Sequence, residues 1–312
     1  MKKYFFIFLL ITETCFSQLP VRDTSFNIQS AYLKEVKTRL YIKIASLSFS
    51  KNTSSEYNIA YRNIGGRNLL LDIFYPKDKS KKKPAVLLIF GGGWKSGDKT
   101  HNYAMAAELA KNNYVAVSAE YRLSPEAIYP AAVLDLKAAI RWMKANAKKY
   151  GIDVSHIAVM GTSAGGQLAA LIGTTNNNSN FEDTIGSKNS SSVQAVIDID
   201  GILAFKHPES QEAVSASLWL GGTYEQKPKV WEEASALNHV DNQTVPFLFL
   251  NSSNLRFHAG RDDMIKKMNA LKIYSEVHEF PDTPHPFWFF HPWFDPMMKY
   301  SIDFLNKIFK NK

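Results

Sequence analysis

Ser163 stands at the centre of a Gly-Thr-Ser-Ala-Gly pattern over residues 161–165. The apolar run at residues 157–160 is typical of a buried strand, and the small and apolar residues after Gly165 are typical of a helix start. Glycines permit a sharp, strained turn between the two, which would expose the serine hydroxyl. The N-terminal amides of such a helix favour negative charge beside the serine. We therefore predict that Ser163 is a nucleophile in acyl transfer.

A second glycine-rich segment follows another apolar run, at residues 84–90. It reads Gly-Gly-Gly-Trp over residues 91–94, so its N–H groups can approach a substrate oxygen without a Cβ in the way. That oxygen becomes an oxyanion during acyl transfer, and each preorganised donor is worth about 3–4 kcal/mol. We expect the oxyanion hole to consist of the N–H groups of Gly92, Gly93 and Ala164.

These motifs resemble a known family. Residues 90–99, Phe-Gly-Gly-Gly-Trp-Lys-Ser-Gly-Asp-Lys, look like the His-Gly-Gly-Gly-Trp-x-x-Gly-Asp-Lys segment of bacterial acetyl-, xylan- and feruloyl-esterase-type α/β-hydrolases, which include BD-FAE and hormone-sensitive-lipase-like enzymes. Residues 120–126 resemble the Tyr-Arg-Leu-Ser-Pro-Glu turn of that family, and residues 256–295 are similar to a pectin acetylesterase branch. The resemblance spans roughly residues 65 to 310. Phe90 replaces the usual histidine, from which we expect altered packing on the substrate side.

The resemblance implies a catalytic triad in the chain order serine, acid, histidine. His285 follows the last predicted strand and is the candidate base that takes the proton of Ser163. His291 is the rival base, unless it only packs within its aromatic loop. His258 comes too early in the chain for this role and is expected at most to line the site.

The acid is the open member of the triad. The family usually has an aspartate about four residues after the strand that ends at Asn251, where this chain has Ser-Ser-Asn-Leu. We prefer Asp262, although paired aspartates at a helix start are also explained by the helix dipole alone. Asp263 and Asp200 are the alternatives, and a neutral group could also orient the histidine.

The elements that must position these residues alternate between strands and helices. Apolar runs predict strands near residues 69–75, 84–90, 114–118, 193–200, 245–251 and 274–280. Helices are predicted at residues 130–150, 262–271 and 295–310, and Asn52 to Ser55 is predicted to be a polar break. This alternation predicts an α/β fold, namely a mostly parallel central sheet with helices on both faces. Residues 201–240 are expected to form a small cap.

The N-terminus predicts export. Residues 1–17 combine two lysines with a short apolar stretch, as in a signal peptide cleaved near Ser17, and lipid attachment at Cys15 is the alternative. Residues 18–64 then form an N-terminal extension and residues 65–312 the catalytic domain. No later stretch is long and apolar enough to span a membrane.

Charge and aromatic residues bear on the substrate. The formal net charge is +8, but the lysines and arginines form no stripe of the kind found in nucleic-acid-binding proteins, so no nucleic-acid partner is expected. The basic balance fits an acidic glycan such as pectin. Trp94 and Trp288 offer flat apolar surfaces for a sugar ring or a feruloyl group, with core packing as the alternative.

The sequence therefore predicts an exported serine esterase that removes acetyl groups from plant polysaccharide such as pectin or xylan, without metal or cofactor. Feruloyl esterase chemistry is the alternative within the same mechanism. A non-catalytic glycan-binding protein on a hydrolase scaffold is the alternative from another class, because fold alone does not fix function.

Overall fold

The computed structural model describes residues 23–124, 126–183 and 189–310. The predicted signal peptide lies outside these residues. The strands are β1 (Lys43–Ile44), β2 (Thr53–Ile64), β3 (Arg67–Pro76), β4 (Lys83–Ile89), β5 (Val115–Ala119), β6 (Ile152–Thr162), β7 (Ala195–Ile199), β8 (Phe247–Ser252), β9 (Ser275–Phe280) and β10 (Phe290–His291). The helices are α1 (Ile28–Glu35), α2 (Tyr103–Lys111), α3 (Ala131–Ala145), α4 (Ala147–Tyr150), α5 (Ala164–Thr174), α6 (Ala213–Leu220), α7 (Pro228–Glu233), α8 (Arg261–Ala270) and α9 (Phe294–Lys310).

Eight strands form the central sheet in the order β2-β3-β5-β4-β6-β7-β8-β9. From β5 onward in this order every neighbouring pair is parallel, whereas β2–β3 and β3–β5 are antiparallel. The short strands β1 and β10 pair separately. This is the α/β-hydrolase arrangement that the sequence predicts.

The buried strands have apolar residues on both faces because helices cover the sheet on both sides. On β4, Leu87 and Ile89 belong to one core and Val86 and Leu88 to the other. The first core also contains residues of α3, α5 and α8, and the second contains residues of α1, α2 and α9. Consecutive side chains on a strand point to opposite faces, so one apolar run fills both cores.

The predicted helix over residues 130–150 is divided into α3 and α4, and it ends at Gly151 in a left-handed conformation (φ 71°). The polar segment Asn52 to Ser55, in contrast, does not form a break, because β2 begins at Thr53. The polar side chains there are tolerated because β2 lies at the edge of the sheet.

The boundary predicted between residues 64 and 65 lies in the turn between the paired strands β2 and β3. Within the described residues, none of the helices combines the length and the apolar character needed to cross a membrane.

Candidate active site

Ser163 lies at a strained turn between β6 and α5. Its backbone angles, φ 54° and ψ −122°, belong to a region that residues other than glycine rarely adopt. Such a conformation costs on the order of 1–3 kcal/mol. The two flanking glycines are required by space: a Cβ on Gly161 would overlap the carbonyl of Gly165, and a Cβ on Gly165 would overlap the carbonyl of Ile89. The turn therefore has the geometry predicted for a nucleophile elbow.

His285 connects Ser163 to a buried carboxylate. Its Nε2 is 2.8 Å from Ser163 Oγ, and its Nδ1 is 2.9 Å from Asp200 Oδ2. Asp200 is only 1 % exposed, and its other oxygen accepts a hydrogen bond of 2.7 Å from the backbone N–H of Ser252. A carboxylate at Nδ1 favours the tautomer with the proton on that nitrogen, which leaves Nε2 free to accept the proton of Ser163.

The preferred acid of the sequence analysis, Asp262, does not contact His285. Its carboxylate instead pairs with Arg261 Nε at 2.8 Å, and its side chain is 79 % exposed. Asp263 is also mostly exposed and lies 3.3 Å from His207. Both aspartates are in the first turn of α8, where they face solvent. The preference for Asp262 is therefore wrong. The acid that contacts His285 is Asp200, one of the two alternatives.

The position of Asp200 follows from the topology of the sheet. It comes directly after β7, which pairs in parallel with β6, the strand that leads into Ser163. Carboxyl ends of parallel neighbours meet at one edge of the sheet, where this class of fold places its ligands. A carboxylate immediately after an apolar strand was therefore the signal in the sequence that favoured Asp200.

Two aromatic rings hold the imidazole of His285. Phe257 stacks on it with ring centroids 3.3 Å apart and an interplanar angle of 12°. Trp288 contacts it edge-on at 5.0 Å. Phe257 was not predicted from the sequence; it lies in the 3₁₀ turn Leu255–His258, which follows β8. In place of the aspartate that the family usually has after this strand, the chain presents an aromatic ring to the histidine.

The glycine loop after β4 lies close to the elbow. The N–H of Gly91 donates to Thr162 Oγ1 at 3.2 Å, and a Cβ on Gly91 would collide with Ser163. Gly92 and Gly93 have positive φ values of 135° and 59°. Among the described residues, the N–H groups of Gly92 and Gly93 have no hydrogen-bond acceptor. These two donors are free in the described part of the chain, and their role in an oxyanion hole, together with Ala164, stays a prediction.

Among the cavities of the described residues, one is lined by Ser163, a second shares Glu212 with it, and a third is lined by His285. The first, which we call the serine cavity, has a volume of only about 20 Å³ and is lined by Gly93, Trp94, Ser163, Ala164, Asp200, Ile202, Glu212 and Phe257. The second, the aromatic cavity, has about 540 Å³ and includes Phe205, Glu212, Tyr224 and Trp231 in its lining. The third, of about 560 Å³, includes His285 and Phe257. Ser163 thus borders a very small cavity, whereas His285 borders a large one.

The two predicted substrate-binding tryptophans are both buried. Trp94 is 2 % exposed, stacks on Trp219 at 5.1 Å and donates from Nε1 to Gln167 Oε1 at 2.9 Å. It still lines the serine cavity. Trp288 is 1 % exposed and lines none of the three cavities. Because protein covers its rings, Trp288 offers no face to a sugar. Its edge-on contact instead helps to hold the imidazole of His285 in position.

Phe90, at the usual histidine position of the family, faces the core. It is completely buried and stacks on Tyr121 with centroids 4.5 Å apart. The hydroxyl of Tyr121 also donates to the carbonyl of Phe90 at 2.9 Å. The change of packing that we expected on the substrate side is therefore not found. Phe90 instead packs in the core, next to the start of the glycine loop.

The remaining histidine candidates lie outside the triad. His291 pairs with Asp295 at 3.1 Å and is 38 % exposed on β10. His258 is 4 % exposed, and burial together with the nearby charge of Arg261 lowers its pKa. Neither contacts Ser163 among the described hydrogen bonds.

A second carboxyl is buried behind the site. Asp198 on β7 is fully buried, and burial, reinforced by the charge of Asp200, raises its pKa well above the ordinary value. Its Oδ1 accepts from the N–H of Gly201 at 2.9 Å, whereas its Oδ2 has no partner within the described part of the chain. A neutral Asp198 avoids a second negative charge beside Asp200.

Comparisons with known proteins agree with this geometry. Among curated proteins, the esterase LipC of Mycobacterium tuberculosis is 35 % identical over 59 % of this chain and 47 % of its own length. The esterase LipQ of the same organism is 27 % identical over 72 % of this chain and 55 % of its own. The chain thus spans about half the length of the curated relatives that it matches.

Solved structures share the fold. One described as a truncated carbohydrate esterase from gut microbiota superposes with a TM-score of 0.70 at 26 % identity, covering 83 % of this chain and 98 % of the other. A thermophilic esterase from Thermogutta terrifontis superposes with a TM-score of 0.68 at 22 % identity, covering 83 % and 93 % of the two chains. The profile of the BD-FAE family matches residues 71–274, more than half of the chain. The chain therefore belongs to the BD-FAE family of α/β-hydrolases.

Proposed function

We propose that the protein is a serine esterase that removes acetyl groups from polysaccharide by way of an acyl-enzyme. The observation that carries the proposal is the continuous line from Ser163 Oγ through His285 to the buried Asp200, with contacts of 2.8 and 2.9 Å. A serine hydroxyl is a weak nucleophile until a base takes its proton, and an oriented imidazole supplies that base.

The mechanism follows from the positions of the groups. Ser163 Oγ attacks the ester carbonyl carbon while its proton passes to His285 Nε2, and Asp200 stabilises the resulting imidazolium. The N–H groups of Gly92, Gly93 and Ala164 stabilise the oxyanion. The intermediate collapses as His285 gives its proton to the leaving alcohol. His285 then takes a proton from water, whose oxygen attacks the acyl-enzyme. As the bond between the acyl carbon and Ser163 Oγ breaks, His285 returns this proton to Ser163 Oγ and the carboxylic acid is released.

The size of the serine cavity supports a short acyl group. About 20 Å³ is room for one water-sized group, and the methyl group of an acetyl ester is of that order. A longer chain would have to displace Ile202, Glu212 or Phe257, which close the cavity. Overfilling a packed space costs roughly 1–3 kcal/mol.

A polysaccharide as the alcohol half is supported by three features: a cavity of about 560 Å³ is lined by His285, the N-terminal residues predict export, and a similar fold occurs in a protein described as a carbohydrate esterase. Acetylated pectin and xylan are the substrates that we propose. The non-catalytic alternative loses its main support, because Asp200 gives His285 a carboxylate partner although the sequence has no aspartate shortly after β8.

Feruloyl ester hydrolysis remains the second candidate. The aromatic cavity favours it, because Phe205, Tyr224 and Trp231 line a space of about 540 Å³ that shares Glu212 with the serine cavity. A feruloyl group on Ser163 could reach that space only if residues that line the small serine cavity moved apart.

Hydrolysis of p-nitrophenyl acetate and p-nitrophenyl butyrate, with methyl ferulate as a third substrate, tests the proposal. We expect the acetate to be cleaved about 5- to 160-fold more efficiently than the butyrate, the range that 1–3 kcal/mol implies. The Ser163→Ala variant should show only background hydrolysis. Equal rates for wild type and variant would refute esterase function, and a preference for methyl ferulate would favour the second candidate.

A further inference from the structure

The third cavity beside the active site is a groove between the N-terminal helix and the catalytic histidine. One wall is α1, from which Ala31, Lys34 and Glu35 face the groove, and the opposite wall contains His285 and Phe257. The groove is fixed in place because Ala31 is buried in the second core and β1 pairs with β10. The N-terminal segment is thereby part of the active-site surroundings.

The position of this groove identifies the half of the ester that it would receive. His285 Nε2 must come within hydrogen-bond distance of the alcohol oxygen in order to protonate the leaving group. His285 lines the groove and not the serine cavity, whereas Ser163 and the oxyanion donors Gly93 and Ala164 line the serine cavity. The acyl group therefore belongs in the serine cavity, and the sugar that leaves belongs in the groove.

The charges of the groove are mainly positive. Lys34, Arg39 and Arg256 line it, against one carboxylate, Glu35. Glu35 is already paired with Arg39 at 2.8 Å, and Arg256 is 3.1 Å from Glu212. Lys34 is exposed and, within residues 23–124, 126–183 and 189–310, makes no ion pair. One cation in the groove therefore lacks a counter-charge, and Arg256 Nε is buried without a hydrogen-bond acceptor among the same residues.

We propose that this groove is a subsite for a carboxylate-bearing sugar, a uronic acid unit in the alcohol half of the substrate. The inference rests on the proposed esterase function and specifies which class of sugar the substrate carries. A carboxylate in the groove would receive a hydrogen bond from Lys34 and would lie in the positive potential of the arginines. The aromatic cavity has no such excess of positive charge, since Lys206 there is matched by Glu212 and Glu225.

Lys34→Gln tests the subsite, and Lys37→Gln is its matched control. Lys37 is equally exposed and lies just beyond the end of α1, but it does not line the groove. We expect Lys34→Gln to lower kcat/KM for acetylated oligogalacturonate about two- to fivefold at low ionic strength, the effect of one exposed ion pair, and to lose this difference in 1 M salt. Activity on acetylated xylo-oligosaccharide and p-nitrophenyl acetate should not change.

Binding to the Ser163→Ala protein separates this proposal from the proposed function. Calorimetry with trigalacturonate and with xylotriose as the neutral control needs no catalysis. Tighter binding of trigalacturonate, weakened by Lys34→Gln but not by Lys37→Gln, would support the subsite even in a protein without esterase activity. Equal binding of the two sugars, or equal effects of the two lysine variants, would overturn it even if p-nitrophenyl acetate were hydrolysed.

Discussion

Replacing Asp200 by asparagine should remove most of the activity while leaving the fold intact. The Oδ1 of Asp200 accepts from the N–H of Ser252 at 2.7 Å, and the Oδ2 faces His285 Nδ1 at 2.9 Å. In the variant the amide oxygen keeps the bond to Ser252, so the NH₂ group must face His285. An N–H donor there favours the tautomer with the proton on Nε2, and that nitrogen can no longer accept a proton from Ser163.

The magnitude can be taken from the same change in a serine protease, where asparagine in place of the triad aspartate lowers kcat about 10⁴-fold. We expect a loss of roughly 10³- to 10⁴-fold in kcat for p-nitrophenyl acetate. Asp262→Asn is the matched control: the side chain is 79 % exposed and, among the described residues, pairs only with Arg261, so its effect should stay within about twofold.

The assay compares kcat of both variants with that of wild type and checks folding by thermal unfolding. A loss in Asp262→Asn as large as that in Asp200→Asn, with both proteins folded, would refute the assignment of the acid. An Asp200→Asn enzyme with nearly full kcat would show that the imidazole is oriented by the rings of Phe257 and Trp288 alone.

Three further outcomes are expected. Gly161→Ala should lower the free energy of unfolding by about 3 kcal/mol or more, because the new Cβ overlaps backbone rather than a movable side chain; a urea midpoint equal to that of wild type would contradict this. Burial and the charge of Asp200 raise the pKa of Asp198 above its ordinary 3.8. As the pH rises above about 4, the unfolded wild-type chain ionises this carboxyl while the folded protein keeps it protonated, so wild type loses stability and Asp198→Asn gains stability relative to it. A constant difference between the urea midpoints of the two proteins across pH 4–8 would rule this out. Phe257→Ala should lower kcat about two- to tenfold, the value of one aromatic contact, whereas Phe257→Tyr should keep it; unchanged kcat in the alanine variant would mean that the stack does not position His285.

Sequence alone was sufficient wherever local pattern dictates the structure. The Gly-x-Ser-x-Gly turn, the glycine loop and the helix ending at Gly151 each depend on residues that are neighbours in the chain and on backbone conformations that few residues besides glycine adopt. The apolar runs likewise predicted the parallel strands, because strands buried on both faces need apolar side chains at every position. Ser163 could be proposed on this basis, whereas His285 followed from the chain order of the triad that the family resemblance implies.

Tertiary structure decided which groups meet across the chain. Asp200 and Asp262 both follow Ser163 and precede His285, so the chain order of the triad does not choose between them. The parallel pairing of β7 with β6 brings Asp200 to the edge where Ser163 emerges, whereas the first turn of α8 directs Asp262 to solvent. The stacking of Phe257 on His285 and the placement of α1 beside that histidine join segments far apart in sequence. Such contacts depend on strand order and packing, which a one-dimensional pattern does not encode.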